Sequence, residues 1–445
     1  MVFMTSVRGG MEFAAGRAVN VPAPPATLPA QDVRVLLRER PEVVVGQSVR
    51  EGQPLVMPSR RHQVAQISPV AGSVRLVTPI TPPRGHRTGV ERLYEVLIHP
   101  TGAAVETSVA LDPPPELTLS AWLRALPLTG AWQESEAALD LITQLHAAGQ
   151  RRPDVLLCVG LDRFSPFPDR SSLLASFPDD VVQGAAALGK VLGVQSTHLL
   201  ASRHHRGLGV LRRACASAQV KLRTAADTYP GADPALVIWH HAPGRRRLPH
   251  DENPVAACCV ALIGPWTAIR VSRWLRHRRL DLARPMMIAL PDRGQALQPR
   301  YAMPGQSLAS LHERIRTALE SHQLVVLGDP MTGRSAQIVD GHALVPEQEL
   351  LVSVLPAPLP VQTQNCIACG WCAEVCPTSL RPANLLELCR TRDFDDKLAL
   401  QLPWCVGCGL CTHVCPSHLP LAETFRRRQA RLLRPGAHPL SQVED

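Results

Sequence analysis

Two stretches near the C-terminus, CIACGWCAEVCP at residues 366–377 and CVGCGLCTHVCP at residues 405–416, repeat one pattern: Cys-x-x-Cys-x-x-Cys-x-x-x-Cys-Pro. Three thiolates spaced by two residues fit on one tight loop and can grip three corners of an iron–sulfur cube. The fourth points away, into the next structural unit. The pattern predicts two [4Fe–4S] clusters, with the fourth cysteine of each run ligating the other cluster. Cys366, Cys369, Cys372 and Cys415 then form one ligand set, and Cys405, Cys408, Cys411 and Cys376 the other. Such clusters carry single electrons, so the chain is expected to pass electrons between partners.

The residues between the cysteines agree with this reading. Gly370 and Gly409 follow the second cysteine of each run. A residue without Cβ lets the backbone close round a cluster and aim N–H groups at sulfur. Ile367, Val406, Val375 and Val414 supply apolar cover that limits water access. Zinc sites usually take paired Cys-x-x-Cys units with longer gaps. Disulfides need an exported chain, and the opening MVFMTSVRGG lacks the apolar segment of a signal peptide. Cys158, Cys215, Cys258, Cys259 and Cys389 are scattered and read as small buried hydrophobes.

At 445 residues the chain has room for about three domains. The net charge of +9 implies a basic face, suited to an acidic redox partner or anionic headgroups. Nucleic acid is disfavoured, because no aromatic residues interleave with the basic runs. The longest apolar stretch, VAACCVALIGPWTAI from Val255, is too short to span a bilayer and contains Gly264-Pro265. Thiolate clusters and the missing signal predict a cytoplasmic chain whose membrane contact is indirect.

The first hundred residues read as short strands with glycine turns, through Val43–Gly46, Val49, Gly52–Leu55 and Ile67–Val74. They resemble a barrel-sandwich hybrid without the lysine of a swinging-arm carrier. Asp154–Gly160, Thr197–Leu200, Ala235–Trp239 and Met287–Leu290 read as strands, and 178–193 as an amphipathic helix, giving an α/β Rossmann-like core with a mostly parallel sheet. A helix is expected over Leu308–Ser321. The run Arg270–Arg279 is helical in period, with Trp274 and Leu275 facing inward and the arginines forming a solvated face or, alternatively, a docking surface for an acidic partner. Phe425-Arg426-Arg427-Arg428 offers a docking surface beside the second cluster. Gly328–Ser335 nearly spells a P-loop, but Arg334 replaces its lysine and no good helix follows.

The order of these modules resembles the C subunit of the Rnf ion-translocating electron-transport complex. The resemblance rests on Gly9-Gly10, on Gly328-Asp329-Pro330-Met331-Thr332-Gly333, and on Cys415–Leu421 with Phe425-Arg426. It implies a multidomain α/β plus β chain. The implied units are 1–112, a barrel-sandwich (biotinyl/lipoyl-like) domain; 113–299, an α/β domain similar to an NADH/FMN-binding region; 300–358, a short β-grasp (SLBB-like) segment; 359–432, a dicluster ferredoxin-like helical domain; and 433–445, a flexible tail. It also implies FMN and NADH beside Gly130, Ala131 and Asp169. The family's glycine-rich loop is reduced here to Gly130-Ala131, and Trp132 obstructs a phosphate cradle, so flavin and NADH binding are expected to be weakened or lost. The implied partners are other subunits of a membrane electron-transport complex, and a ferredoxin or other acidic redox protein. The implied place is the inner face of the cell membrane. No catalytic residue of the chain's own is singled out. A soluble dicluster adaptor for a dehydrogenase is the alternative.

Overall fold

The computed structural model describes residues 5–7, 10–13, 16–25, 31–58, 64–81, 93–101, 109, 111–130, 132, 140–244, 246–249, 252–290, 297–321, 323–336, 338–339, 342–347, 349–357, 361–390 and 400–432. Ala131 and the 433–445 tail lie outside them.

Strands β1 (Thr5–Val7) and β2 (Gly10–Glu12) form a hairpin. They do not join the β unit that follows. β2 pairs instead with a strand at Thr228–Tyr229, and the backbone N–H groups of Val19 and Val21 donate to Ser172 and Ser176 at 3.0 and 2.8 Å. The reason is apolar: Met11, Phe13 and Val21 are buried in one core with Phe164, Phe167 and Tyr229. The N-terminal segment therefore belongs with the α/β unit rather than with a single 1–112 domain.

Strands β3 (Val33–Leu37), β4 (Ser48–Val49), β5 (Pro54–Val56), β6 (Gln66–Ile67), β7 (Gly72–Ile80) and β8 (Leu93–Pro100) make the β unit, with an antiparallel sheet ordered β3-β8-β7-β4 and a β5–β6 pair. Alternation along β3 turns Val33, Val35 and Leu37 inward onto Val49, Leu55, Val74, Val96 and Ile98.

The α/β unit contains α1 (Leu119–Ala125), α2 (Leu141–Gln150), β9 (Val155–Val159), α3 (Asp169–Ser176), α4 (Pro178–Leu192), β10 (Ser196–Ser202), α5 (Leu208–Ser217), β11 (Lys221–Ala225), β12 (Thr228–Tyr229), α6 (Pro234–His241), α7 (Pro254–Cys258), β13 (Val260–Ile263) and α8 (Pro265–His277). Its sheet is parallel throughout, ordered β11-β10-β9-β13. β9 and β13 are continuous apolar runs because both faces are covered. Leu156, Cys158, Ala261 and Ile263 face the α4–α8 side, while Val155, Leu157, Val260 and Leu262 face Val237 and Ile238 of α6. The expected strand at Ala235–Trp239 is thus a helix. Asp233 caps it, accepting from the Ala235 N–H at 2.9 Å, and Pro234 opens it. A short unbroken apolar run does not distinguish a buried strand from a buried helix.

Met287–Leu290 begins a different sheet. Strands β14 (Arg284–Ala289), β15 (Leu297–Ala302), β16 (Leu324–Leu327), β17 (Arg334–Ser335) and β20 (Leu351–Leu355) follow the order β15-β14-β20-β16-β17, with β14 and β20 parallel. Helix α9 (Glu313–Glu320) buries Ile315 and Ala318 in the core of this sheet, and β18 (Ile338–Val339) pairs with β19 (His342–Ala343). The unit starts near residue 284, not 300, because β14 pairs antiparallel with β15 and parallel with β20 rather than with the β9–β13 sheet. The C-terminal unit holds α10 (Trp371–Glu374), α11 (Pro382–Arg390), α12 (Leu410–His413) and α13 (Leu421–Leu432) around Leu385, Leu402, Leu419, Leu421 and Phe425. Among the described residues no helix is long and apolar enough to cross a membrane.

Helices α4 and α8 meet at Gly184, where an added Cβ would lie 1.8 Å from the Ala268 carbonyl oxygen. Gly184→Ala is expected to lower stability by about 1–3 kcal/mol. Urea unfolding reads this as a lower midpoint at unchanged slope; an unchanged midpoint would contradict the close packing.

Candidate iron–sulfur centre

The two cysteine runs follow the same backbone path. Gly370 and Gly409 cap α10 and α12 with φ and ψ of 81° and −12°, and of 84° and −12°. Left-handed torsions recur at Ala368 and Gly407, and at Ser379 and His418, always 39 residues apart. Glycine is needed at the caps, since other residues rarely adopt φ near +80°.

The runs also cross. The Gln364 N–H donates to the Ser417 carbonyl at 2.9 Å, and the Ser417 hydroxyl donates to the Asn365 carbonyl at 2.8 Å. The segment leaving the second run therefore lies beside the entrance to the first. One cavity is lined by Cys366, Cys369, Cys372 and Cys415, with Ile367, Leu386 and Leu419. Another is lined by Cys376, Cys405, Cys408 and Cys411, with Val406, Leu385 and Phe425. Each cavity brings together three cysteines of one run and the fourth of the other. The other five cysteines are buried.

The donor set fits an iron–sulfur cube. Burial pushes the Cys405 thiol up to about 11, and burial with the neighbouring Cys405 and Cys376 pushes Cys411 up to about 12; Cys408 is raised too. Four thiolates share such a cup only when a cationic group accompanies them. Among the described residues no group of three or more His, Cys, Asp or Glu is placed to hold a single metal ion.

The second cup is fastened to the rest of the protein. Tyr229 donates its hydroxyl to the Cys408 carbonyl at 2.6 Å, and Arg426 donates to the Gly407 carbonyl at 2.6 Å. Arg428 donates to the Cys389 carbonyl at 3.1 Å, and Arg427 pairs with Glu423 at 2.6 Å. The arginine run expected to form a docking surface thus engages its own chain. The same holds for α8. Arg270 and Arg273 are buried, Arg270 over the Trp132 ring at 4.2 Å and Arg273 against Asp180 and Asp281 at 3.1 and 3.3 Å. Arg278 and Arg279 reach Asp112 and Glu51 at 3.2 and 3.3 Å.

Open α/β sheets bind ligands at the carboxyl ends of their strands, where the strand order reverses. Here that point lies between β9 and β13, and the chain itself fills its surroundings. Phe164 packs against Phe13, Phe167 and Tyr229, with ring centroids 4.9–6.0 Å apart. Arg163 forms a two-pronged pair with Glu349, one bond measuring 3.0 Å, and lies 3.7 Å from Asp169. Burial works against the Glu349 charge, but Arg163 overrides it and holds the carboxyl below its usual range. Burial raises Asp169, whose Oδ1 is enclosed without a hydrogen bond. Burial, with Asp169 nearby, raises Asp162 to about 8, against the hydrogen bonds it accepts from Ser171. Glu349 and Tyr229 carry no sequence signal, because only the fold brings them here.

This arrangement does not fit a flavin or dinucleotide. Helix α3 opens with Asp169, so that terminus presents a carboxylate where a phosphate would sit. A Cβ on Gly130 would lie 2.9 Å from Ile67, and Trp132, 1% exposed, donates to Thr129 at 2.6 Å. Gly130 and Asp169 have separate neighbours. Gly328 leads into an Asp329 turn, with Met331 and Thr332 N–H groups donating at 2.8 and 2.9 Å, and then into β17 rather than a helix.

Residues 359–379 match the 4Fe-4S binding domain. Over 373 residues, 77% of the chain, the sequence is 24% identical to the C subunit of the ion-translocating oxidoreductase complex of Serratia proteamaculans (strain 568). The protein of the same name from Vibrio cholerae serotype O1 (strain ATCC 39541) is 25% identical over 366 residues, 79% of the chain. This chain is similar to the C subunit of ion-translocating oxidoreductase complexes. It spans about half the length of these relatives, 48% and 45%. A solved NAD+-reducing [NiFe]-hydrogenase in the air-oxidized state aligns with 67% of this chain and 60% of its own, at 16% identity and a TM-score of 0.41.

Asp162 carries a testable consequence. Its folded pKa lies above the unfolded one, so between about pH 4 and about 8 the folded state holds the extra proton and stability falls as pH rises. Asp162→Asn is expected to flatten this dependence by up to about 1.4 kcal/mol per pH unit. Urea midpoints across that range test it; an unchanged slope would place Asp162 outside the buried network.

Proposed function

We propose that this chain is a peripheral iron–sulfur subunit of a membrane-bound ion-translocating oxidoreductase complex, relaying single electrons through two [4Fe–4S] clusters. The observation that carries the reading is the pair of four-cysteine cups formed by exchanging Cys376 and Cys415 between loops. The 4Fe-4S domain match and the likeness to the C subunit of such complexes support it. Cys366, Cys369, Cys372 and Cys415 hold one cluster, and Cys405, Cys408, Cys411 and Cys376 the other. Bound clusters supply one-electron chemistry. The chain's own residues do the rest. Leu385, Leu410 and Phe425 keep water from the second cup, and Tyr229 and Arg426 fix the carbonyls of its loop.

In this reading residues 33–100 are a barrel-sandwich scaffold, and the unit from β14 to β20, with its two parallel central strands, is a β-grasp. The α/β unit binds neither FMN nor NADH and serves as a docking body. The chain sits on the cytoplasmic face of the membrane through partner subunits. The filled carboxyl edge also suits a soluble dicluster adaptor. Co-sedimentation with membranes separates the two readings.

Anaerobically purified protein is expected to contain about eight irons and about eight sulfides per chain and no flavin. Cys415→Ser is expected to lose about half the iron, while Cys389→Ser keeps it all. Zinc in place of iron, or stoichiometric flavin, would sink the reading.

A further inference from the structure

The two cysteine loops share a backbone but not their surroundings. A Cβ on Gly409 would lie 3.0 Å from the Met331 carbonyl oxygen, and one on Gly407 would lie 3.3 Å from Arg426 Nε. On Gly370, the counterpart of Gly409, it would meet nothing within 4 Å. The second loop is walled in by the Asp329 turn, Tyr229 and α13. The first is open: every residue from 361 to 371 is exposed, Cys366 and Cys369 included. Ile367 and Trp371, beside these cysteines, are 65% and 54% exposed. Apart from the ligand thiols, no side chain from 361 to 373 is ionisable, in a chain of net charge +9.

We infer that electrons pass between this chain and a second redox protein at the first cluster, across the face of residues 361–371, which carries no charged side chain besides the ligand thiolates, and that the partner's contact face is uncharged. The inference rests on the proposed iron–sulfur function and adds which cluster meets the partner and through what contact. An acidic partner face would lose hydration against Ile367 and Trp371 and gain no cation there, and a basic one would meet a chain of net charge +9. An exposed tryptophan beside an aliphatic residue is the kind of anchor that dominates protein contacts. The acidic partner that net charge suggests finds no cation within 361–371, and the arginines beside the second cup engage Gly407, Glu423 and Cys389.

The test uses the full chain with iron and sulfide counted first, so that missing clusters, which would defeat the proposed function, are distinguished from a wrong exit face. Dithionite-reduced protein is mixed by stopped flow with anionic ferricyanide and with cationic hexaamminecobalt(III) at low salt. Trp371→Glu is expected to slow the first and speed the second several-fold, with an unchanged electron paramagnetic resonance spectrum. Glu423→Lys, on α13 beside the second cup, is expected to leave both rates unchanged. Response to Glu423→Lys but not to Trp371→Glu would overturn the inference. The reduced proteins are then mixed with membranes from source cells lacking this chain. Transfer is expected to be flat in ionic strength and to fall about tenfold in Trp371→Glu. A rate that drops steeply with salt would mean a charged partner and would also overturn it.

Discussion

Each four-thiol cup closes only because the chain exchanges a cysteine between its two loops. Cys376 belongs to the first run but lines the second cavity, and Cys415 does the reverse. Neither loop can therefore be completed alone. The exchange demands that the segments before Cys366 and after Cys415 run side by side, as the bonds between Gln364, Asn365 and Ser417 show. It also demands that the apolar residues between the runs form one core, which Leu385, Leu402, Leu419 and Phe425 do. The repeated left-handed torsions are the local form of the same demand, since each loop must wrap three thiols round one point.

Once one loop is fixed to the rest of the protein, the other is free to face outward. The Tyr229 hydroxyl, the Met331 carbonyl and Arg426 all meet the second loop, and Tyr229 also belongs to the aromatic group that fills the end of the α/β sheet. The group that holds the cluster unit thus also occupies the place where an open α/β sheet would receive a ligand. Docking of the cluster unit and filling of the sheet edge are one event of packing, and a relay without a flavin follows from it in the proposed function.

One buried ion pair ties two units together. Arg163 follows β9, Glu349 precedes β20, and their two-pronged bond crosses from the parallel sheet to the mixed one. Arg34 and Glu95 pair inside the β unit, and Arg273 binds Asp180 and Asp281 beneath α8. Such pairs lose hydration and contribute little net stability, but removing one partner is costly, so they specify how elements meet, within units and between them, more than how tightly they hold.

The cluster unit was legible because its chemistry is local: eight thiols at fixed spacing, with glycines where the backbone must turn left-handed. The parallel strands β9 and β10 and helix α4 were legible for a similar reason, their periodicity surviving in short windows. Residues 235–239 were not, because an unbroken apolar run lacks a period and the Asp233 cap decided the outcome. Nor could spacing reveal that Arg270 and Arg273 turn inward, since Asp180, Asp281 and Trp132 come from distant positions. The sequence by itself determined that eight thiols recur in two runs of one spacing, because spacing is a local property of the chain. Only the tertiary structure decided which loop is enclosed, which faces solvent and whether the α/β edge is open, because those depend on groups from separate parts of the chain, such as Tyr229 at Cys408 and Met331 at Gly409.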